Sequence, residues 1–306
     1  MAKTALLRRL SDTDLRLLRV FRAVADCGGV SAAELELNIG RSTISRHLTD
    51  LELRLGSKLC HRGPSGFSLT NEGVRIYQAA LQLFSAMHDF QSEVDETNHS
   101  ITGRLSIAFF DKNMTNAHAD IPLAIRKFEK LAPKVEVELH VEPINAIETG
   151  VLNGTHQLGI VAMHKKSDNL NYHFLYHEEM HLYCSNHHEL FNYPDETITR
   201  TEVQKHKYAA FAFHSPNMMA SHDWKLRRSG TVNNEEALAM LILAGSYIGF
   251  LPTHFTRQFT EQGLMRAVRP DIYHYRSDHA AIVRKIPRMP RRVEKFLNCL
   301  IDAHTV

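Results

Sequence analysis

Two short helical patterns separated only by Asn38, Ile39 and Gly40 constrain this chain more than any other feature, because so brief a turn must redirect the backbone sharply. A first helix opens at Ser11, where Asp14 suits a capping box and Leu15, Leu18, Phe21 and Val24 share one face. Cys27, Gly28 and Gly29 end it. The second helix covers Ser31 to Leu37, and Gly40 is expected to supply the positive φ of the turn. A third helix starts near Arg41 and sends Ile44, Leu48, Leu51 and Leu55 inward.

The opposite face of the third helix carries Arg41, Ser42, Thr43, Ser45, Arg46 and Thr49, short hydroxyls with guanidinium groups gathered towards its N-terminal end. Side chains of this kind suit a helix whose first turns enter the DNA major groove, where hydroxyls reach bases or phosphates and Arg forks onto guanine. An ordinary solvated face has the same composition, so the helix alone leaves both readings open. The next segment separates them. After Gly56, two short extended runs around Leu59 to Arg62 and Phe67 to Leu69 flank a turn-rich loop of Gly63, Pro64, Ser65 and Gly66, which reads as a wing. Arg54, Lys58, His61 and Arg62 meet no acidic residue until Glu72 and suit the phosphate backbone, which fixes position without reading sequence. Charge is partitioned in the same sense. Residues 1–70 hold eleven Lys or Arg against seven Asp or Glu, and the remainder of the chain is slightly acidic.

The run SAAELELNIGRSTISRHLTDLELRLGSKLCHR, followed by LTNEG, resembles the DNA-binding domain of LysR-type transcriptional regulators. Ala32, Ala33, Leu35, Ser42, Ser45, Leu51, Glu52, Leu55, Gly56, Leu59, Arg62, Leu69, Thr70 and Gly73 fall in register with that family's pattern. Arg41 stands where the family usually has Gln, and Cys60 where it usually has Phe, a change expected to loosen packing under the wing. The resemblance implies an α/β fold: a winged helix-turn-helix over 1–69, a dimerising linker helix over 70–98, and an effector-binding domain over 99–306. That last domain would consist of two periplasmic-binding-protein-like lobes, the first about 100–163 plus 268–306 and the second about 164–267, joined by two crossing strands. The phrases VLNGTHQLGI and EEALAMLILAGSYIGFLP match the family's corresponding segments, with Gln157 in place of a common acidic residue.

The linker reads independently as one long helix from a Thr70 cap to about Thr97, with Val74, Tyr77, Leu81, Phe84 and Met87 on a stripe suited to a second copy of the chain. His88 and Gln91 continue that stripe as polar positions. Beyond Ser100, strands and helices alternate, implying a parallel sheet covered by helices. Ligands of such sheets lie beyond the carboxyl ends of the strands. The candidates are Phe110, Asp111, Lys112, Asn113, Met114 and Thr115, with His214, Ser215, Asn233 and Phe250 from the other lobe. Free helix N-termini there would favour a small organic anion.

His177, Glu178, Glu179, Met180 and His181 spell the zinc-protease signature, in which two histidines on one helical face bind the metal. The flanking Phe174, Tyr176, Leu182 and Tyr183 favour a strand instead, where residues four apart are separated by roughly 13 Å. Metal binding by His173, His177, His181, His187 and His188 remains the alternative reading, with zinc hydrolysis the weakest form of it. Cys27, Cys60, Cys184 and Cys299 form neither a Cys-x-x-Cys pair nor a disulfide framework. The start of the chain lacks the apolar core of a signal peptide, so a cytoplasmic protein is expected. A pure solute-binding protein would leave the basic head unexplained. The expected partners are double-stranded DNA, a small-molecule effector, further copies of the chain in a dimer and tetramer, and RNA polymerase when activating. No membrane partner, cofactor, metal or catalytic function is expected.

Overall fold

The computed structural model describes residues 9–63, 66–96 and 101–305. Pro64 and Ser65 of the expected wing loop, the expected helix end at Thr97, and residues 1–8 and 98–100 lie outside the described residues. The chain divides into two compact units, Met1–His88 and Asp89–Val306.

In the first unit, α1 (Asp12–Asp26) opens with the expected capping box, in which Ser11 and Asp14 satisfy each other's backbone amides. Asp14 also takes the Arg54 guanidinium, with Nη2 at 3.0 Å, and this bond to Arg54 holds its pKa down at about 2. Helix α2 (Val30–Leu37) leads into α3 (Arg41–Leu55). The positive φ between them belongs to Asn38, at 51°, whereas Gly40 is extended with φ −68°. Asn tolerates the left-handed region because its short polar side chain bonds locally, so the turn forms one step earlier than the glycine suggested. Ile44, Leu48 and Leu51 are buried against Leu17, Phe21 and Val24 of α1, each such side chain contributing about 1.5–3 kcal/mol.

Strands β1 (Cys60–Gly63) and β2 (Gly66–Leu69) pair antiparallel as the wing, and α4 (Asn71–Glu96) follows. Thr70 joins these elements: its N–H donates to the Leu59 carbonyl, its hydroxyl donates to the Lys58 carbonyl, and its Oγ1 caps α4 by accepting from Gly73 N–H. Gly73 is needed for close approach rather than for a turn. A Cβ there would lie 1.8 Å from the Leu59 carbonyl oxygen. The Leu-Thr-x-x-Gly pattern thus encodes the packing of α4 onto β1. The expected linker stripe divides differently from the sequence reading. Tyr77 and Phe84 pack on this unit's own core with Ile76, Ala80 and Leu83, while Val74 is exposed. Helical spacing carries the stripe onward into Phe90 and Val94, which are 70% and 48% exposed.

The second unit is a mixed sheet in the order β4-β3-β5-β11-β6-β9-β7-β8, with β10 on β6. Its first half pairs β3 (Thr102–Phe109) in parallel with β4 (Lys134–Val141) and β5 (Leu158–Ala162), covered by α5 (Ile121–Leu131), α6 (Ile144–Asn153) and α11 (Arg291–His304). Gln157 staples this half, since its Oε1 accepts from Ser106 N–H at 2.8 Å and its Nε2 donates to the Gly154 carbonyl. The other half pairs β7 (Lys207–Phe211) in parallel with β8 (Arg228–Val232) and β9 (Tyr247–Pro252), with α8 (Pro216–Asp223), α9 (Glu235–Leu243) and α10 (Thr253–Thr260). A one-turn α7 (Arg200–Val203) and β10 (Met265–Ala267) complete it. Two long antiparallel strands, β6 (Leu170–Ser185) and β11 (His274–Arg284), run between the halves. The aromatic residues from Phe174 to Tyr183 marked part of β6 in the sequence, but periodicity gave the bounds of neither strand. Both strands pass through different surroundings along their length, so neither shows a single alternating pattern.

Candidate nucleic-acid interface and ligand cleft

On α3, Ile44, Leu48 and Leu51 are buried and Leu55 is half-buried, which leaves Arg41, Ser42, Arg46 and Thr49 exposed and Thr43 and Ser45 half-buried beside them. Arg46 makes no hydrogen bond or ion pair among the described residues, so its donors are free for a partner. Arg41 is anchored but not consumed. Glu34 of α2 accepts both its backbone N–H, at 2.8 Å, and its Nε, at 2.7 Å, while the Arg41 side chain stays 63% exposed. The carboxylate therefore caps the positive end of α3 and fixes the base of the Arg41 side chain.

Two of the basic residues expected to suit the phosphate backbone have internal partners. Arg54 is paired with Asp14. Arg62 donates to Glu52 at 2.6 Å and to the Ser45 carbonyl at 3.2 Å, and Glu52 also accepts the Leu59 N–H. A bond from the wing to the backbone of α3 makes Arg62 a clamp between them. Lys58 and His61 remain exposed on the wing side, consistent with the phosphate reading. Cys60 is buried in the core of this unit.

In the second unit the segment after β3 bridges the two halves of the sheet. Phe110 packs edge-on against Phe211 and Phe213, with ring centroids 5.5 and 5.7 Å away, and is almost wholly buried. Asp111 accepts the Glu235 N–H at the start of α9 at 3.2 Å, and burial raises its pKa despite these amides. Lys112 pairs with Glu236 at 3.0 Å and lies over the Phe255 ring. Thr115 shares a hydrogen bond of 2.8 Å with His254 Nδ1. Asp111 to Thr115 and Asn233 border an opening of about 610 Å³, together with Glu142 and Glu236.

His214 instead borders a second opening of about 690 Å³, beside Glu148, Lys165 and Lys166. Ser215 is buried, and its hydroxyl has no hydrogen-bond partner among the described residues. Phe250 borders neither opening. It is fully buried in another core, stacked on Trp224 at 5.1 Å, because its strand turns that position away from the cleft. The expectation of an anion at free helix N-termini is also revised: Asp111 already occupies the N-terminus of α9, and Asp111, Glu142 and Glu236 outnumber Lys112 around the first opening.

Sequence reasoning missed a buried network behind this opening. Glu178 accepts from Asn116 Nδ2 at 3.0 Å and lies 3.1 Å from His254 Nε2 and 3.2 Å from His279 Nε2. Burial opposes its charge, but His279 and His254 outweigh burial and hold its pKa well below the usual carboxylate range. Strand alternation was the available signal. Within the His-Glu-x-x-His segment, His177 and Glu179 face outward, whereas Glu178 and Met180 face inward. The segment is extended, within β6, as its aromatic neighbours implied, and no group of three His, Cys, Asp or Glu placed to hold a metal occurs among the described residues. No helix among them is long and apolar enough to cross a membrane.

An exposed polar helix bearing Arg46, unpaired among the described residues, a two-stranded wing and a pair of α/β lobes joined by two strands define a class of protein, a DNA-reading head with a ligand-sensing body. Residues 15–74 match the family described as bacterial regulatory helix-turn-helix protein, lysR family, and residues 98–305 match the LysR substrate binding domain. The chain belongs to the LysR family of DNA-binding transcriptional regulators. It is 35% identical over 294 residues, covering 96% of each chain, to the HTH-type transcriptional activator BauR of Pseudomonas aeruginosa. In fold it is similar to the crystal structure of CbnR, a LysR family transcriptional regulator, with TM-score 0.65 and 18% identity over 95% of this chain and 99% of that one. CbnR solved in complex with its target DNA gives TM-score 0.64 and 19% identity, covering 95% of this chain and all of that one.

Proposed function

We propose that this regulator reads a specific DNA sequence with the outward face of α3, through Arg41, Ser42, Thr43, Ser45, Arg46 and Thr49, while Lys58 and the wing hold the phosphate backbone. The observation that carries this reading is the unpartnered Arg46 guanidinium among exposed hydroxyls. A small-molecule effector occupies the cleft bordered by Asp111 to Thr115 and Asn233, and its occupancy changes the relation between the lobes. The lobe assignment follows the expected one, about 100–163 plus 268–306 against about 164–267. Self-association uses the exposed Phe90 and Val94 of α4 and yields a dimer and then a tetramer. The protein works in the cytoplasm, contacts RNA polymerase when it activates, and performs no catalysis.

Selection of bound sequences from a random duplex library, using the full chain, tests the reading. An enriched motif that Arg46→Ala relaxes at one base position is expected. Failure to enrich any sequence, with salt-sensitive binding otherwise intact, overturns specific reading and leaves only backbone attraction.

A further inference from the structure

Arg41 is the first residue of α3, and the residue before it has no side chain with which to cap the helix. The Arg41 N–H is therefore one of the donors left open at a helix start. Glu34 of α2 reaches it across the turn at Asn38. One carboxylate oxygen accepts the Arg41 N–H at 2.8 Å and the other accepts Arg41 Nε at 2.7 Å, so both are spent on a single residue. Arg41 Nη1 and Nη2 make no hydrogen bond or ion pair among the described residues, and the side chain is well exposed.

That arrangement selects what the guanidinium can bind. With Nε occupied, Arg41 offers a partner its far end, where Nη1 and Nη2 present two N–H groups in parallel. Guanine is the one base whose major-groove edge carries two neighbouring acceptors, O6 and N7. Adenine and cytosine each place a donor there, and thymine sets one acceptor beside a methyl group. A phosphate also offers two oxygens, but it is anionic and would approach the Glu34 carboxylate as well. The Glu34–Arg41 pair has no net charge, so it gains little from a polyanion while keeping its directional donors for a neutral base edge. Fixing Nε also removes side-chain freedom that an arginine otherwise loses on binding. Arg46, without such a partner among the described residues, keeps its full charge.

We propose that Arg41 is a specificity-determining residue that reads one guanine end-on through Nη1 and Nη2, and that Glu34 is the positioning residue that holds it to a base edge rather than to phosphate. This rests on the reading of α3 given above and adds a named base to it.

The test is selection of bound sequences from a random duplex library with the full chain, followed by affinity against salt on the enriched duplex and on random duplex. A guanine is expected at one position, where any other base weakens wild-type binding about ten- to a hundredfold. Arg41→Gln should remove that preference and leave the salt dependence essentially unchanged, whereas loss of a phosphate contact would flatten the slope of log Kd against log salt by about 0.9. Arg41→Lys keeps the charge but not the paired donors, and should lose the guanine as well. Glu34→Gln keeps an oxygen for the Arg41 N–H and removes the carboxylate charge. It should tighten binding to random duplex, steepen the salt slope by up to about 0.9, and reduce discrimination at the guanine. A Glu34→Gln protein that binds every duplex more weakly at an unchanged slope would reduce Glu34 to a helix cap and overturn its positioning role. A motif that keeps its guanine in Arg41→Gln, or a uniform loss with a flatter slope, overturns the assignment of Arg41 and leaves reading by Arg46 intact. Failure to enrich any motif brings down the reading of α3 itself, and this assignment with it.

Discussion

On α3 the side chains proposed to face DNA lie within a few turns of one helix and Arg46 is unpaired among the described residues, whereas the cleft is assembled from distant segments already bonded to one another. Asp111 and the start of α9 are 124 positions apart, as are Lys112 and its partner Glu236. The difference follows from what each surface meets. DNA presents a regular polyanion, so a preformed helix with outward donors suffices. A small ligand must be surrounded, and surrounding it requires elements that close against each other. On the proposed reading, the links across the cleft would set how readily a ligand shifts the lobes.

The comparison breaks first at the joint between wing and linker helix. Gly73→Ala would drive a methyl into the Leu59 carbonyl, and we expect a loss of about 3 kcal/mol or more from the head, seen as early unfolding of the first unit with the body intact. If both units keep their stability, the close approach is not real. Next in size is Arg46→Ala, which should cost about 1–3 kcal/mol on specific DNA and much less on random DNA, with no change in Tm. Equal losses on both would demote Arg46 to a phosphate contact.

For the cleft the expected signature is the reverse, stability without affinity. Asp111→Ala should lower the Tm of the body by the equivalent of about 1 kcal/mol, through loss of the acceptor for the Glu235 N–H at the start of α9, and leave DNA affinity without effector unchanged. A changed DNA affinity would mean that the two functions are coupled even at rest. The smallest effect is expected in acid. Because Arg54 lowers the Asp14 pKa from 3.8 to about 2, the stability this pair contributes is complete above about pH 4 and disappears as the pH falls through 2. Asp14→Asn should remove that dependence from an acid titration of the head, and an unaltered titration curve would discount the pair.

The head was legible because its signals are local: a capping box at Ser11, inward spacing from Ile44 to Leu51, and the Gly56 stop, whose φ of 69° ends α3. Even so, Arg54 and Arg62 read as free charges, since the chain does not announce that Asp14 and Glu52 come back to meet them. In the body, the segment from Phe110 to Thr115 was placed correctly at the end of a strand, but Phe250 was misassigned and His254 and His279 were overlooked. Glu178 was noticed only as part of a false metal motif. Its inward direction became evident once the segment was known to be a strand.

The order of residues alone thus determined the helix-turn-helix and wing, the outward polar face of α3 and the alternating α/β body, because periodicity and capping act within a few residues. Folding in three dimensions decided which charges are spent internally, which side chains are buried away from the cleft, and how the cleft is charged. Those outcomes depend on burial and on neighbours far apart in the chain, and desolvation acts on a group only once such neighbours have closed around it.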